Sequence, residues 1–448
     1  MPDRVPLTGA DCFLNAFDGE IRRFNGASHV SQLVLRLGPG FDVDILRKLM
    51  DEVVRRQPLV RAPVGRRFGI GPPMYHLKRA SRRSVPPIGD FDVQNVEGPP
   101  GNRALPEIFA RRLNQRRSLR RGELLRFDAV RYAGGAGGTD LAMSWLHLLF
   151  DAAGSERFIR WLDECFRGEG RPGELPDPRE LDPVAGPRRP AGVRGEAART
   201  WQRWHDSFGA HPVHSLAGPR RRTPQTLGYD LLTLNPEETE RATGEARRRA
   251  GFLTPMLFYL AVSIRAHHAV HRARGLDPGS YLVPLPVNLR RKGVEGALFR
   301  THVSLLWFQA LPEHVADLDG LIDHLKVQRL AAIKDQQIQN GVDAMDFARF
   351  APRRLYSRLA RSAHRGELCS FFFAYTGEFL AGLDRFLGAE IQDAFHVAPV
   401  PPSPGSCIAI STRGGRLNLT HVYQRGVFSD AERAVFHDTL RADLVGPS

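Results

Sequence analysis

Apolar residues with the spacing of strands and helices cover most of the first 170 residues. Two of the strand-like runs are joined by the glycine-rich stretch Ala133–Thr139, which indicates a β-hairpin. Asp42 or Asp44 is placed to cap a helix that carries apolar residues from Leu46 to Val54 on one face. The predicted strands are 28–37, 123–132 and 140–148, and further helices are predicted at 105–117 and 155–166.

The second half of the chain repeats this mixed pattern after a stretch without periodicity. From Gly168 to about Glu196 the sequence is rich in Pro, Gly and Arg, which predicts a linker, followed by a helix at 197–209. The remaining predicted strands are 227–234, 280–287, 302–311, 369–376, 406–412 and 416–423, and the helices are 254–274, 316–339 and 429–444.

This irregular alternation of strands, hairpins and helices favours two α/β domains with mixed sheets over a doubly wound parallel sheet. The length of 448 residues also suits two domains. We therefore predict an N-terminal half at 1–170, a linker and crossover at 171–225, and a C-terminal half at 226–448.

Composition narrows the class of protein. Hydrophobic residues make up 42% and charged residues 25%, no apolar run has the length of a membrane span, and no secretory signal precedes the first helix. Four widely spaced cysteines form no disulfide framework. These features predict a cytoplasmic protein without a transmembrane segment.

The formal net charge is +14, and only five of the 63 basic residues are lysine. The arginine bias reflects either a GC-rich gene or a basic surface for an anionic partner such as a CoA phosphate or an acidic carrier protein. The basic clusters are scattered and no zinc-finger spacing is present, so nucleic acid is not an expected partner. Residues 353–365 predict a basic amphipathic helix, whose basic face is either solvated or a docking surface for an acidic carrier protein or CoA.

The segment Ser144–Gly154 carries the strongest chemical candidate. It places His147 at the end of a buried strand and Asp151 in the turn before a helix. A general base needs a neutral imidazole held in one orientation, and a carboxylate nearby supplies that orientation directly or through an arginine that shapes the loop. The spacing H-x-x-x-D alone is expected about once by chance in such a chain, so a structural histidine remains the alternative.

The other motifs in the sequence are weaker indications of a functional site. Gly168–Gly173 fits G-x-G-x-x-G formally but follows a helix and contains a proline, and neither a P-loop nor a G-x-S-x-G elbow occurs. His267, His268 and His271 lack a further obvious ligand, so a partly exposed helix face is expected there and no metal site is predicted.

Context around His147 resembles the superfamily of chloramphenicol acetyltransferase-like acyltransferases, which includes condensation domains of nonribosomal peptide synthetases and wax ester synthase/diacylglycerol acyltransferases. Three more segments match in the expected order. They are Pro6-Leu-Thr-Gly-Ala-Asp-Cys-Phe13, Gln57-Pro-Leu-Val-Arg61 and Val283-Pro-Leu-Pro-Val-Asn-Leu-Arg290.

This resemblance implies two similar domains in a V, with a tunnel at their interface where a thioester on CoA or on a carrier-protein phosphopantetheine meets an alcohol or amine. It implies natural-product or lipid biosynthesis, with no permanently bound cofactor. His147 would be the base, Asp151 a structural carboxylate, and Arg290 its ion-pair partner, with Asn288 beside it. The tunnel-lining candidates are Trp145, Leu146 and Phe150.

The sequence also departs from the family pattern. The usual motif is H-H-x-x-x-D-G, and here Leu146 replaces its first histidine and Ala152 its glycine; Arg300-Thr301 replaces a glycine-asparagine pair. No D-F-G-W-G segment occurs near the C-terminus, which favours a free-standing relative over a peptide-synthetase domain. Two hypotheses follow: an acyltransferase that uses His147, and an inactive scaffold that binds a carrier protein or partner enzyme.

Overall fold

The structure is a computed structural model that describes residues 4–67, 70–78, 92–97, 107–133, 137–170, 199, 202–218, 225–290, 298–361, 364 and 366–446. The predicted linker therefore lies mostly outside the described residues. The strands are β1 Arg4–Pro6, β2 Val30–Leu37, β3 Val64–Arg67, β4 Ile70–His76, β5 Asp92–Glu97, β6 Leu125–Ala133, β7 Thr139–Leu146, β8 Leu227–Leu234, β9 Tyr281–Asn288, β10 Val303–Ala310, β11 Phe372–Glu378, β12 Arg385–Phe386, β13 Ala389–Val397, β14 Ser406–Arg413 and β15 Arg416–Gln424.

Helices pack against these strands in both halves. They are α1 Gly9–Phe24, α2 Val43–Arg56, α3 Glu107–Leu113, α4 Ala152–Phe166, α5 Pro236–Ala250, α6 Pro255–Ala273, α7 Pro312–Val315, α8 Leu318–Lys334, α9 Gln337–Ala348, α10 Arg353–Ala360 and α11 Asp430–Val445. A short 3₁₀ helix lies at Pro58–Arg61, and residues 202–208 are helical. No helix of the described ranges is both long and apolar enough to cross a membrane.

The sheets mix parallel and antiparallel pairs, which confirms the predicted fold class. A six-stranded sheet has the order β12-β13-β2-β7-β6-β5, and a four-stranded sheet has the order β11-β14-β15-β8. β5–β6 and β11–β14 are parallel, whereas the β6–β7 hairpin is antiparallel as predicted and β14–β15 is antiparallel too. β9 pairs with β10, and β1, β4 and β3 form a small separate sheet.

Strand β13 crosses the predicted division of the chain at residue 226. It belongs to the C-terminal half in sequence, yet it pairs antiparallel with β2 in the sheet of the N-terminal half. Its register sets His396 opposite Leu33 and Val397 opposite Gln32. The two halves are thus joined by backbone hydrogen bonds as well as by packing, and residues from both reach the same edge of the six-stranded sheet.

Several elements differ from the prediction. The helix expected at 316–339 is divided into α8 and α9 at Gln336, whose φ of 52° interrupts helical geometry. Helices α1 and α5 and strand β13 were not predicted. Both helices begin with a capping box, formed by Thr8 with Asp11 and by Asn235 with Glu238.

Candidate active site

A cavity of about 390 Å³ lies where the two halves meet, and His147 lines it. Its walls come from α1, from the ends of β2 and β7, and from strands of the C-terminal half. The polar and aromatic side chains of the lining include His29, Ser31, Trp145, His147, Asn288 and His396. The interface tunnel implied by the resemblance coincides with this cavity.

His147 follows the last residue of β7, and its backbone N–H donates to the His29 carbonyl at 3.0 Å. The residue lies deep in the protein, but it is only partly buried because its accessible surface faces the cavity. Burial disfavours the imidazolium and lowers the pKa of His147, although the carbonyls of His147 and Phe150 and the charge of Asp151 oppose this. His147 is therefore neutral at pH 7, the state a general base requires.

Two further histidines line the same cavity, and sequence reasoning missed both. The β2–β7 register sets Val30 opposite Leu146, so His29 lies next to His147, and their rings stack with centroids 5.4 Å apart. Burial lowers the pKa of His29 well below its usual value, and it lowers the pKa of His396 to about 3. The Nδ1 atoms of both are buried without a hydrogen-bond partner in the described part of the chain.

Asp151 has a different environment from His147. It caps α4 by accepting the Gly154 N–H at 2.8 Å, and its Oδ2 accepts from Arg290 Nη1 at 2.9 Å and from the His302 N–H at 2.8 Å. Burial by itself would raise the pKa of Asp151, but the Arg290 charge and these hydrogen bonds outweigh burial and lower it. The predicted ion pair with Arg290 is present, and the aspartate fixes the loop, not the imidazole directly.

Asp11 completes what we call the carboxylate clamp, formed by Asp11, Asp151, Arg290, Thr301 and His302. Asp11 Oδ1 accepts the Thr301 N–H at 2.9 Å, next to the His302 N–H that Asp151 accepts. Burial raises the pKa of Asp11 to about 6, although the Arg300 charge and hydrogen bonds from Thr8 and Thr301 act in the opposite direction. Two carboxylates of the N-terminal half thus hold two successive amides of the C-terminal half.

Small residues and an unusual backbone let these segments meet. A Cβ on Gly154 would lie 2.5 Å from the Leu298 carbonyl oxygen, so only glycine permits this approach. Arg300 adopts a φ of 72°, and its N–H donates to the Leu149 carbonyl at 2.6 Å. Left-handed backbone costs a non-glycine residue about 1–2 kcal/mol, so the conformation of Arg300 is strained.

Comparison with solved structures gives the fold. The first condensation domain of the calcium-dependent antibiotic synthetase is 15% identical with a TM-score of 0.68, over 99% of this chain and 97% of that one. The condensation domain of the Monacolin K polyketide synthase MokA is 16% identical with a TM-score of 0.65, over 99% and 96%. TRI3 trichothecene 15-O-acetyltransferase from Fusarium sporotrichioides is 11% identical with a TM-score of 0.66, over 99% and 95%.

The chain has the condensation-domain fold. Its two lobes are chloramphenicol acetyltransferase-like, as the resemblance implied. The likeness lies in the structure alone, because no sequence model of a protein family and no curated protein sequence matches the chain.

In this fold, the replacement of the first motif histidine by Leu146 does not alter the cavity lining. Side chains alternate across a strand, so Trp145 and His147 face the cavity while Leu146 faces the opposite side. Leu146 and Phe150 are fully buried members of the hydrophobic core and do not line the cavity, which corrects their prediction as tunnel residues. Trp145 does line it, and its Nε1 donates to the Phe150 carbonyl at 2.8 Å.

Asn288 lies at the rim of the cavity, exposed, and its Oδ1 accepts the Arg290 N–H at 3.0 Å. It therefore connects the lining to the clamp. Ala152, which replaces the glycine of the family motif, is the first residue of α4 and also lines the cavity.

Three residues elsewhere have the composition of a metal site: in Asp230, His421 and His437 one ligand atom from each lies within 4.8 Å of the others. However, Arg433 Nη1 lies 2.9 Å from both oxygens of Asp230. Because the guanidinium already supplies the positive charge there, these residues form an ion-pair cluster and not a cation site.

The histidines of α6 differ from the prediction of a partly exposed face. His267 and His271 are buried, and His267 is held by the Ser263 carbonyl and Ser406 Oγ. The predicted basic helix is observed as α10. It packs on α1, where Glu20 pairs with Arg361 and Ser357, and the rest of the predicted segment lies partly outside the described residues.

Proposed function

We propose that the protein is an acyltransferase that moves an acyl group from a CoA or carrier-protein thioester to an alcohol or amine, with His147 as general base. One observation carries the proposal. Burial lowers the pKa of His147 and so favours its neutral form, and its accessible surface faces a partly enclosed cavity between the two lobes that is large enough for a small-molecule substrate. Such a cavity brings two reactants together and limits the access of water.

The reaction then proceeds in balanced steps. His147 takes the proton of the acceptor hydroxyl or amine while the acceptor oxygen or nitrogen attacks the thioester carbonyl carbon. The tetrahedral intermediate collapses, the carbon–sulfur bond breaks, and the imidazolium returns the proton to the leaving thiolate. The products are an ester or amide and a free thiol.

The intermediate needs a donor for its negatively charged oxygen. Ser31 is buried, lies two residues from His29 on β2, and lines the cavity. Its Oγ has no hydrogen-bond partner among the described residues. We assign Ser31 as the hydroxyl that donates to the developing oxyanion, a contact worth about 10²–10³ in rate when a comparable donor is removed elsewhere.

The donor is a co-substrate in this proposal and not a bound cofactor. The basic charge of the chain suits the phosphates of CoA or an acidic carrier protein, and structures with this fold include condensation domains of synthetases and synthases. The cytoplasmic location stays a prediction from sequence. The inactive scaffold is disfavoured because position 146 faces the core, so its substitution leaves the cavity unobstructed.

The test compares the wild-type protein with His147→Ala and a matched control, His437→Ala, whose histidine lies beside Asp230 outside the cavity. Each is given acyl-CoA and acyl-carrier thioesters with a panel of alcohols and amines. We expect ester or amide product that falls about 10²–10⁴-fold in His147→Ala and is unchanged in His437→Ala. Carrier binding without turnover by any of the three proteins would favour the scaffold.

A further inference from the structure

A second cavity of about 430 Å³ adjoins the one that contains His147. Phe13, Leu305 and Met345 line both cavities. These three side chains, which we call the partition, therefore lie between the two spaces.

Strand β10 connects the cavities directly. Its odd-numbered residues face them in order: Val303 lines the His147 cavity, Leu305 lines both, and Trp307 lines the second. The even-numbered Leu306 and Phe308 are buried in the core behind. At a rise of about 3.3 Å per residue, one wall thus runs about 13 Å from the first cavity into the second.

Helix α9 forms another wall of the second cavity, on which Gly341 and Ala344 are small. Gln337, Asn340, Gly341, Ala344 and Met345 line the second cavity with helical spacing. The reversal at Gln336, with its positive φ, sets the start of this helix.

The interior of the second cavity is apolar. Its walls hold Phe13, Phe208, Trp307 and Tyr356 beside Leu305 and Met345. Two polar side chains of the wall are bonded to backbone N–H groups of β10: Gln337 Oε1 accepts the Trp307 N–H at 3.0 Å, and Gln328 Oε1 accepts the Gln309 N–H at 2.9 Å. The charged residues of the wall, Arg203 and Asp335, are exposed, so the deeper part of the cavity suits an apolar group.

The other end of the second cavity opens to solvent. Arg203, Ser207, Ala331 and Asp335 line it and are exposed. An apolar passage therefore leads from the surface to the partition, and beyond the partition lies His147.

We propose that the second cavity binds the uncharged apolar chain of a substrate whose reactive end lies beside His147, with the chain passing through the partition. This inference rests on the proposed function, because the reactive end is placed by the acyl transfer. The chain belongs either to the acyl group of the donor or to the acceptor, and the two sources share one chemistry. Methionine at the partition, with three rotatable bonds, adapts to such a chain.

The experiment measures binding by titration calorimetry in the His147→Ala background, where no thioester is consumed. Octanoyl-pantetheine, acetyl-pantetheine and octylamine are titrated into this parent, into the parent with Ala344→Phe, which fills the cavity, and into the parent with Val327→Phe. Val327 is the matched control because it is 66% exposed and lines neither cavity.

We expect Ala344→Phe to weaken binding of octanoyl-pantetheine about ten-fold or more, because the excluded methylenes lose apolar surroundings. Acetyl-pantetheine and the Val327→Phe control should be unaffected. Weakening of octylamine alone also supports the cavity and assigns it to the acceptor. If neither octyl compound binds, or if both bind parent and Ala344→Phe equally, the proposal is overturned.

Two controls keep the result interpretable. If Ala344→Phe does not fold, Ala331→Phe at the exposed end fills the same cavity and replaces it. Turnover by the wild-type protein is measured separately. If Ala344→Phe loses octyl binding but the wild-type protein shows no histidine-dependent turnover, the cavity proposal holds and the acyltransferase proposal is refuted. If turnover depends on His147 but Ala344→Phe binds the octyl compounds as the parent does, the acyltransferase proposal holds and the cavity proposal is refuted.

Discussion

The His147 cavity and the carboxylate clamp adjoin each other, since Asp151 and Thr301 of the clamp also line the cavity, but their polar groups differ in how far they are hydrogen-bonded. In the clamp, Asp151 accepts three hydrogen bonds, one of them from Arg290. At the cavity, the Nδ1 atoms of His29 and His396 have no partner in the described structure. A buried polar atom without a partner costs free energy unless a ligand satisfies it.

This difference in hydrogen bonding indicates different roles for His147 and Asp151, the two residues of the H-x-x-x-D motif. Asp151 accepts hydrogen bonds from the start of α4 and from the C-terminal half, so it organises the turn. His147 keeps accessible surface on the cavity, so it is available for chemistry. Substitutions at the two ends should therefore affect different measurements.

The largest effect is expected from Asp151→Ala. It removes the carboxylate that pairs with the Arg290 guanidinium and that accepts two backbone N–H groups, which costs about 3–5 kcal/mol of unfolding free energy. His147→Ala should change it by less than about 1 kcal/mol, because the ring borders an existing cavity. Urea unfolding of both variants measures this contrast, and equal losses of stability would contradict it.

The partner of Asp151 gives the next test. Arg290→Glu should damage stability at least as much as Asp151→Asn, since the asparagine variant removes the attraction within the ion pair and the glutamate variant replaces it with repulsion. In a double-mutant cycle, Asp151→Asn and Arg290→Ala should show a coupling energy of about 1–3 kcal/mol. Additive effects, or full activity in Arg290→Ala, would show that the ion pair does not hold the loop.

The same comparison explains what the sequence could predict. The β6–β7 and β14–β15 hairpins were predictable because turn residues separate two apolar runs at each. The clamp residues Asp151 and Arg290 were found through short motifs in the right order. The helical pattern of α5 was harder to detect because its buried face consists mainly of Ala242, Ala246 and Ala250, which carry little hydrophobic signal.

The cavity was much less predictable than the clamp. His29 and His396 lie 118 and 249 residues from His147 in the sequence, and only the β2–β7 and β2–β13 registers bring them together. A register is set by long-range pairing that a single sequence does not display. Which face of β7 borders the cavity likewise depends on its pairing with β2 and β6, so the sequence did not show that Leu146 faces the core.

The pH dependence of activity tests the cavity side of the comparison. Because burial lowers the pKa of His147 below its usual 6.5, the base stays neutral throughout the neutral range. The value of kcat/KM should reach a plateau at high pH and fall as pH decreases through the lowered pKa, which lies below 6.5, approaching about ten-fold per pH unit. A limb centred above pH 6.5 would show that burial does not control this imidazole.

The smallest effect is expected at Arg300, on the clamp side. Its φ of 72° is strained for any residue with a Cβ, whereas glycine adopts it freely. Arg300→Gly and Arg300→Ala both remove the guanidinium that acts on Asp11, so their difference isolates the backbone. Relief of about 1–2 kcal/mol of strain, less about 0.4–1 kcal/mol for the greater freedom of unfolded glycine, should leave the glycine variant more stable by about 0.5–1 kcal/mol. If urea unfolding finds that Arg300→Ala is as stable as Arg300→Gly or more stable, the left-handed backbone at Arg300 is not strained.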